Sequence, residues 1–211
     1  MTEIASTVVF LDANICITYA IEFFIKDHMF SDNVYHSKIC CVISHISSRK
    51  DIYDINIPQF IRGEITCKLT EVFNRTFDKY NVSHVYRLKI ISKGRERLRK
   101  LLQRSESLDL VIDEEIKEIN RLYAELLRKG DARIAKLVQK KGSPKPSDND
   151  IKLAAQAIKM VRQGRWAILI SGDFDIHGFA EDYEKTFRLK VFSYERLPAE
   201  PSEIDKAFLD L

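Results

Sequence analysis

The sequence has few residues of the kinds that mark disordered, fibrous or disulfide-linked chains. Seven glycines and five prolines among 211 residues are too few for a disordered or collagen-like chain. Four cysteines lie in apolar segments without a CxxC pair, so we expect buried, reduced thiols and a cytoplasmic protein. They are Cys16, Cys40, Cys41 and Cys67. The five histidines show no HExxH spacing, which excludes that zinc-enzyme motif.

A long, uninterrupted apolar run is also missing. The start of the chain lacks the basic residues, apolar run and cleavage site of a signal peptide. Residues 7–25 are apolar, but Asp12, Asn14 and Glu22 interrupt them. This pattern predicts a buried strand followed by a helix, and no association with a membrane. The composition, 45% hydrophobic and 31% charged, is typical of a globular protein with a core.

Short apolar segments alternate with longer segments of helical periodicity. The expected strands are residues 7–11, 53–57, 166–170 and 190–193. The expected helices are residues 15–25, 33–48, 59–79 and 150–161. This alternation predicts an α/β protein of three layers, Rossmann-like, with a central and mainly parallel sheet. We expect one domain over residues 1–211, with a helical hairpin or small bundle inserted at about 84–145.

Acidic residues follow two of the expected strands. Asp12 comes directly after the first, and Asp173 and Asp175 follow the third after a turn of small residues. Ligands bind at the edge of a parallel sheet where the carboxyl ends of the strands lie, so these acids are candidates for a binding site. The alternative for each is a carboxylate that caps the helix that follows.

Two further acids lie at the beginnings of helices. Asp150 opens a helix, and Ser147 three residues earlier makes a capping box with it, which is a purely structural alternative. The pair Ala154 and Ala155 predicts close packing of this helix on the sheet, which would bring Asp150 towards the acidic edge. Glu64 lies one turn into the helix at 59–79, and the sequence leaves open whether it faces the site or solvent.

Taken in order, four motifs around these acids resemble those of the PIN-domain family of nucleases. They are Phe10-Leu11-Asp12-Ala13-Asn14, then Ile57-Pro58 with Gly63-Glu64-Ile65, then Asp150-x-x-x-Ala154-Ala155-x-Ala157, and finally Ile170-Ser171-Gly172-Asp173-x-Asp175. Ser171 stands where the family usually has threonine, and the segment between the second and third motifs is longer than in the compact toxin-type members. The resemblance covers roughly residues 7–80 and 147–195.

The resemblance implies a PIN fold and a ribonuclease that depends on Mg²⁺ or Mn²⁺. Its implied catalytic and metal-binding residues are Asp12, Glu64, Asp150 and Asp173, with Asp175 as an auxiliary ligand. Asn14 and Ser171 would orient the acids or bound water molecules. Hard divalent ions prefer such oxygen ligands, and without a cation the facing carboxylates would repel one another. Members of the family often form homodimers, and some bind an inhibitory protein, so both are conceivable partners.

Basic residues are concentrated at 87–104 and 128–141, on either side of an acidic stretch at 106–118. One hypothesis is that a basic face binds the phosphate backbone of RNA. The candidate RNA-binding residues are Arg95, Arg97, Arg99, Lys100, Lys140 and Lys141. The alternative is that solvated helices pair with each other's opposite charges.

Two other functions are compatible with the same residues. The chain could be a PIN-type RNA-binding or assembly module with weak catalysis. It could also be a haloacid-dehalogenase-like phosphatase, which likewise places an aspartate after a strand. That chemistry needs a second acid two residues later, where this chain has Asn14, and it would leave Glu64 without a role.

Overall fold

Helices make up most of the chain. The computed structural model describes residues 6–28, 34–108 and 110–209, without the side chains of 25–28 and 34–37. The structure is 67% helical, with ten helices among the described residues. They are α1 (Ala13–His28), α2 (Val34–Ser48), α3 (Gln59–Lys79), α4 (His84–Arg104), α5 (Asp113–Arg128), α6 (Ala132–Lys141), α7 (Asp148–Arg162), α8 (Phe174–His177), α9 (Ala180–Phe187) and α10 (Pro201–Leu209).

Four short strands form a parallel sheet within this helical framework. They are β1 (Thr7–Leu11), β2 (Tyr53–Asn56), β3 (Ala167–Ile170) and β4 (Lys190–Phe192). Their order is β2-β1-β3-β4, and all three neighbouring pairs run parallel. Every residue of β1 and β3 is buried, as expected for continuous apolar strands at the centre of a parallel sheet. All four strands lie within one residue of the predicted positions.

The three-layer, Rossmann-like PIN fold predicted from the sequence is nevertheless wrong, because the structure is mostly helical with only a small sheet. The strands are three to five residues long, whereas six of the described helices have 15 to 21 residues. So small a sheet cannot cover the apolar faces of these helices. Much of the helical surface is therefore buried on other helices, as where α1 packs against α2, α3 and α4.

The segment at about 84–145 was expected to form an inserted helical hairpin or small bundle. The segment is helical, as predicted, and contains α4, α5 and α6. However, α4 packs mainly against α1, and α5 packs mainly against α7. Buried residues of all three helices, such as Leu98, Ile119 and Leu137, belong to the same hydrophobic core as β1. The segment therefore shares the hydrophobic core of the rest of the domain.

The thiols are less uniformly buried than the sequence suggested. All four are free, and Cys16 on α1 is buried, whereas Cys40 and Cys41 are half-buried. Cys67 is exposed, so the expectation of a buried thiol is wrong there, because this position of α3 faces outward.

Among the described residues, none of the helices is both long and apolar enough to cross a membrane.

Candidate metal centre

The carboxyl ends of the two central strands bring the first acids together. β1 and β3 are neighbours, with Leu11 opposite Ile170 in the ladder. Asp12 follows β1 directly, and its backbone N–H donates to the carbonyl oxygen of Ile170 at 3.1 Å. Ser171 follows β3, and Asp173 lies two residues farther along the chain. Parallel pairing of two apolar strands therefore fixes both acids at one edge of the sheet.

The first turn of α7 supplies the third acid. The hydroxyl of Ser147 caps this helix by accepting the backbone N–H of Asp150 at 3.3 Å, and it donates to Asp150 Oδ2 at 2.6 Å. Ala154 and Ala155 are fully buried where α7 packs against β3 and β1, since their small side chains permit a close approach. Asp150 thus takes part in the cap of α7 and also lies beside Asp12 and Asp173.

Asp12, Asp150 and Asp173 form a compact acidic group. Each offers one carboxylate oxygen, and these oxygens all lie within 4.8 Å of one another. Asp12 is only 2% exposed and Asp150 only 7%. Burial raises the pKa of the Asp12 carboxyl to about 7, and the negative charges of Asp173 and Asp150 add to the rise. Burial likewise raises the pKa of Asp150 to about 6, although the Ser147 hydrogen bond opposes it.

Two neutral side chains orient these acids. Ser171 donates its hydroxyl to Asp12 Oδ2 at 2.9 Å and accepts the backbone N–H of Asp173 at 3.1 Å. Asn14 donates its amide to Asp173 Oδ2 at 2.9 Å. These bonds leave other carboxylate oxygens available while limiting the rotation of Asp12 and Asp173. Hydrogen bonds of this kind to a carboxylate set the direction in which its other oxygen points.

Glu64 and Asp175, the other two acids predicted for the site, flank the central group. Glu64 accepts hydrogen bonds from Lys68 at 2.5 Å and from Asn149 at 2.8 Å, and its charge contributes to the raised pKa of Asp12. Asp175 is completely buried and forms an ion pair with Lys141 through Oδ2. The structure therefore gathers three of the five acids into one group and holds two beside it.

Gly172 allows the turn between Ser171 and Asp173 to lie against an aromatic ring. A Cβ atom at this position would overlap the hydroxyl end of Tyr194. Burial raises the pKa of the Tyr194 hydroxyl to about 12, with the charges of Asp12 and Asp173 contributing. Tyr194 therefore forms a neutral wall next to the acids. The sequence motif contained the glycine, but nothing in it indicated the tyrosine.

The candidate RNA-binding residues do not share one environment. Arg95 and Arg99 line a shallow groove between α3 and α4 together with Arg62. Arg97 instead packs over the rings of Tyr19 and Phe23, with its guanidinium carbon 4.5 Å and 5.7 Å from their centroids.

The three candidate lysines also differ from one another. Lys100 forms an ion pair with Glu96 on α4. Lys140 is exposed, whereas its neighbour Lys141 turns towards Asp175. Lys68 and Asn149, which both contact Glu64, were not predicted, although the spacing of Glu64 and Lys68 suits an ion pair on one helix.

Comparison with known proteins adds no relative to this picture. No protein-family model, no curated protein and no solved structure matches the chain.

Proposed function

We propose that the protein is a divalent-metal-dependent phosphodiesterase that cleaves RNA at the acidic group. The observation that carries the proposal is the convergence of Asp12, Asp150 and Asp173, whose carboxylate oxygens lie within 4.8 Å of one another. Two of them are buried where negative charge is unfavourable, as their raised pKa values reflect. A bound cation removes that penalty. The proposal concerns the chemistry of this site and does not require a three-layer fold.

The donor set fits Mg²⁺ or Mn²⁺. All the donors are carboxylate oxygens, which suit hard divalent ions, and no cysteine or histidine belongs to the group that the described residues form. A second observation supports a cation here: Asp175 is completely buried, and its Oδ1 lacks a hydrogen-bond partner in the described part of the chain. The charge of Asp175 also raises the pKa of Asp150, so this unpartnered carboxylate lies close to the group.

Different residues of the chain would hold the ion and orient its ligands. Asp12, Asp150 and Asp173 would hold the ion, while Ser171 and Asn14 keep two of the carboxylates in fixed orientations. When bound, such an ion acts as a Lewis acid on a phosphoryl oxygen and makes water more acidic. Burial and the neighbouring aspartates raise the pKa of Asp12 to about 7, and a bound cation would lower it again by favouring the ionised carboxylate. Lys68 and Lys141 supply positive charge beside the acids.

Two features support RNA as the substrate. The order of the four acidic motifs resembles that of PIN-domain ribonucleases. In addition, the groove between α3 and α4 is lined by Arg62, Arg95 and Arg99. Arg62 donates to the carbonyl oxygens of Ile57, Ser105 and Glu106, and Arg99 pairs with Glu96, so Arg95 is the guanidinium group of this groove that we assign to phosphate. The four free cysteines further support a reducing compartment such as the cytoplasm.

The proposal is tested by incubating the purified protein with labelled single-stranded RNA in Mn²⁺ or in EDTA. We expect cleavage in Mn²⁺, none in EDTA, and a loss of at least about 100-fold in Asp12→Asn and Asp173→Asn, since each removes a charged ligand. Asp148→Asn is the matched control, because Asp148 is exposed in the same first turn of α7 as Asp150. Thermal unfolding checks that the variants are folded.

Other outcomes would favour the alternatives. Cleavage that survives both substitutions would contradict the proposal. If Mn²⁺ neither raises the unfolding temperature nor supports cleavage while RNA still binds, the chain is a binding module. Hydrolysis of small phosphomonoesters without RNA cleavage would favour a phosphatase.

A further inference from the structure

Two lysines lie beside the acidic group, each held by a flanking carboxylate. Lys68 pairs with Glu64 across one turn of α3, an ordinary arrangement on a helix surface. Lys141 is different, because it is the last residue of α6 and pairs with Asp175, 34 positions later in the chain. This second pair connects a segment between the motifs to the acidic site itself.

The carboxylate that holds Lys141 has unused capacity for a cation. Asp175 is completely buried, its Oδ2 accepts from Lys141, and its Oδ1 has no partner among the described residues. A buried carboxylate oxygen without a partner is unfavourable, and coordination to a metal cation or a hydrogen bond donated by ion-bound water would remove that cost. Lys141 is therefore an incomplete partner for Asp175.

The ammonium group of Lys141 lies between this buried carboxylate and solvent. Its side chain is 34% exposed, so it is not enclosed with Asp175. Burial lowers the pKa of Lys141, but the hydrogen bond to Asp175 and the charges of Asp175, Asp173 and Asp150 raise it further. The ammonium group is thus attracted by the central aspartates and remains able to reach a ligand that approaches from solvent.

Charge balance indicates when Lys141 would be released. Five carboxylates and two lysines give a net charge of −3 when all are ionised. One divalent ion changes this to −1, and a second to +1. The electrostatic attraction between the acids and the lysines is then weaker. A phosphate group would bring negative charge to the same place. An ammonium group that has lost its carboxylate partner is a suitable donor to phosphate oxygens.

We propose that Lys141 is a phosphate-binding residue that changes partner, held by Asp175 in the metal-free protein and bound to a nucleotide phosphate when the acidic group holds its ion. The inference rests on the proposed function, which supplies the ion, and adds the residue that recognises the phosphate.

The test measures the affinity of the protein for uridine 5′-monophosphate, which has a phosphate and no phosphodiester to cleave, by calorimetry in Mn²⁺ and in EDTA. In Mn²⁺ we expect Lys141→Met to weaken binding about tenfold, the usual effect of losing one charged hydrogen bond. In EDTA the same substitution should change affinity by less than about twofold. Lys152→Met is the control, because Lys152 is exposed on α7 and lies only two residues from buried Asp150, on another side of the helix.

A second variant distinguishes the proposed change of partner from an effect of Lys141→Met on folding. Asp175→Asn removes the charge that holds Lys141, so the affinity for uridine 5′-monophosphate in EDTA should rise severalfold, and Lys141→Met in that background should abolish the gain. An equal loss in Mn²⁺ and EDTA, or no loss in Mn²⁺, would overturn the inference. Thermal unfolding with Mn²⁺ alone separates the two proposals. If the ion does not bind, both fail. If it binds and Lys141 has no effect on nucleotide affinity, only the inference fails.

Discussion

The Asp12 carboxyl is buried beside two other aspartates. Ionising it therefore costs more free energy in the folded protein than in the unfolded chain. Its pKa is raised from an ordinary value of 3.8 to about 7, which means that the folded protein binds this proton more tightly than the unfolded chain does. Between those two values the folded state therefore carries more protons. Stability must then fall as the pH rises through this window.

In EDTA, we expect the free energy of unfolding to decrease between about pH 4 and pH 7 through the contribution of Asp12. A rise of about three pKa units corresponds to roughly 4 kcal/mol at most, lost by the time the pH exceeds 7. Urea unfolding at several pH values measures the slope. Asp12→Asn carries no titrating group there, so its stability should fall less steeply. Parallel slopes in the two proteins would contradict the assignment.

At the same scale, the sequence indicated which acids lie near one another better than how each of them pairs. Asp12 and Asp173 follow apolar strands, so their shared location could be inferred from parallel pairing alone. Glu64 could not be oriented, because the side of a helix that faces the site depends on contacts such as those with Lys68 and Asn149. Arg97 counted as one of many cations in the sequence, yet its guanidinium group packs on two aromatic rings.

Among the helices, a single glycine sets how closely α4 approaches α1. A Cβ atom on Gly94 would overlap the ring of Phe73 and lie 3.0 Å from the backbone carbonyl oxygen of Ala20. Gly63 on α3 offers a contrast, since nothing lies within 4 Å of a Cβ atom built there. The same chemical change should therefore have opposite effects at the two positions.

We expect Gly94→Ala to destabilise the protein by about 1–3 kcal/mol through overpacking, even though alanine favours a helix more than glycine does. Gly63→Ala should stabilise it by about 0.5–1 kcal/mol, because only the helix propensity changes. Chemical denaturation of both variants measures the difference. Stabilisation by both substitutions would show that α4 and α1 have room to separate.

The elements themselves were predictable where a long pattern repeats. The apolar periodicity of 59–79 gave the bounds of α3 as observed, and the apolar runs gave all four strands. The helices α8, α9 and α10 have only four to nine residues, too short for a reliable periodicity, and were not predicted. The fold class was wrong because the order of elements says nothing about relative area, and long helices cover much of their surface with one another.

For the molecule as a whole, the central question is whether the segment at 84–145 unfolds with the rest. Its buried residues belong to one hydrophobic core with those of the sheet. The buried carboxylate of Glu115 on α5 also pairs with Arg162 on α7 at 2.9 Å. Shared burial and a buried ion pair both predict that the segment and the sheet unfold together.

Urea unfolding followed by far-ultraviolet circular dichroism and by the fluorescence of Trp166 should therefore give superimposable transitions. The first signal is dominated by the helices, whereas Trp166, the only tryptophan in the sequence, lies immediately before β3 and reports on the sheet. Midpoints that differ by more than the experimental error would show that the segment is an independent unit.

The meeting of positions 12, 150 and 173 has a mechanical consequence as well as a chemical one. These positions directly follow β1, lie in the first turn of α7 and lie in the turn after β3, so an ion held by all three would act as a removable cross-link between distant parts of the chain. The ion would close these large loops only in the folded protein. Its binding would therefore stabilise the folded state relative to the unfolded chain. The availability of such an ion would then affect how long the folded molecule survives, in addition to the proposed cleavage of RNA.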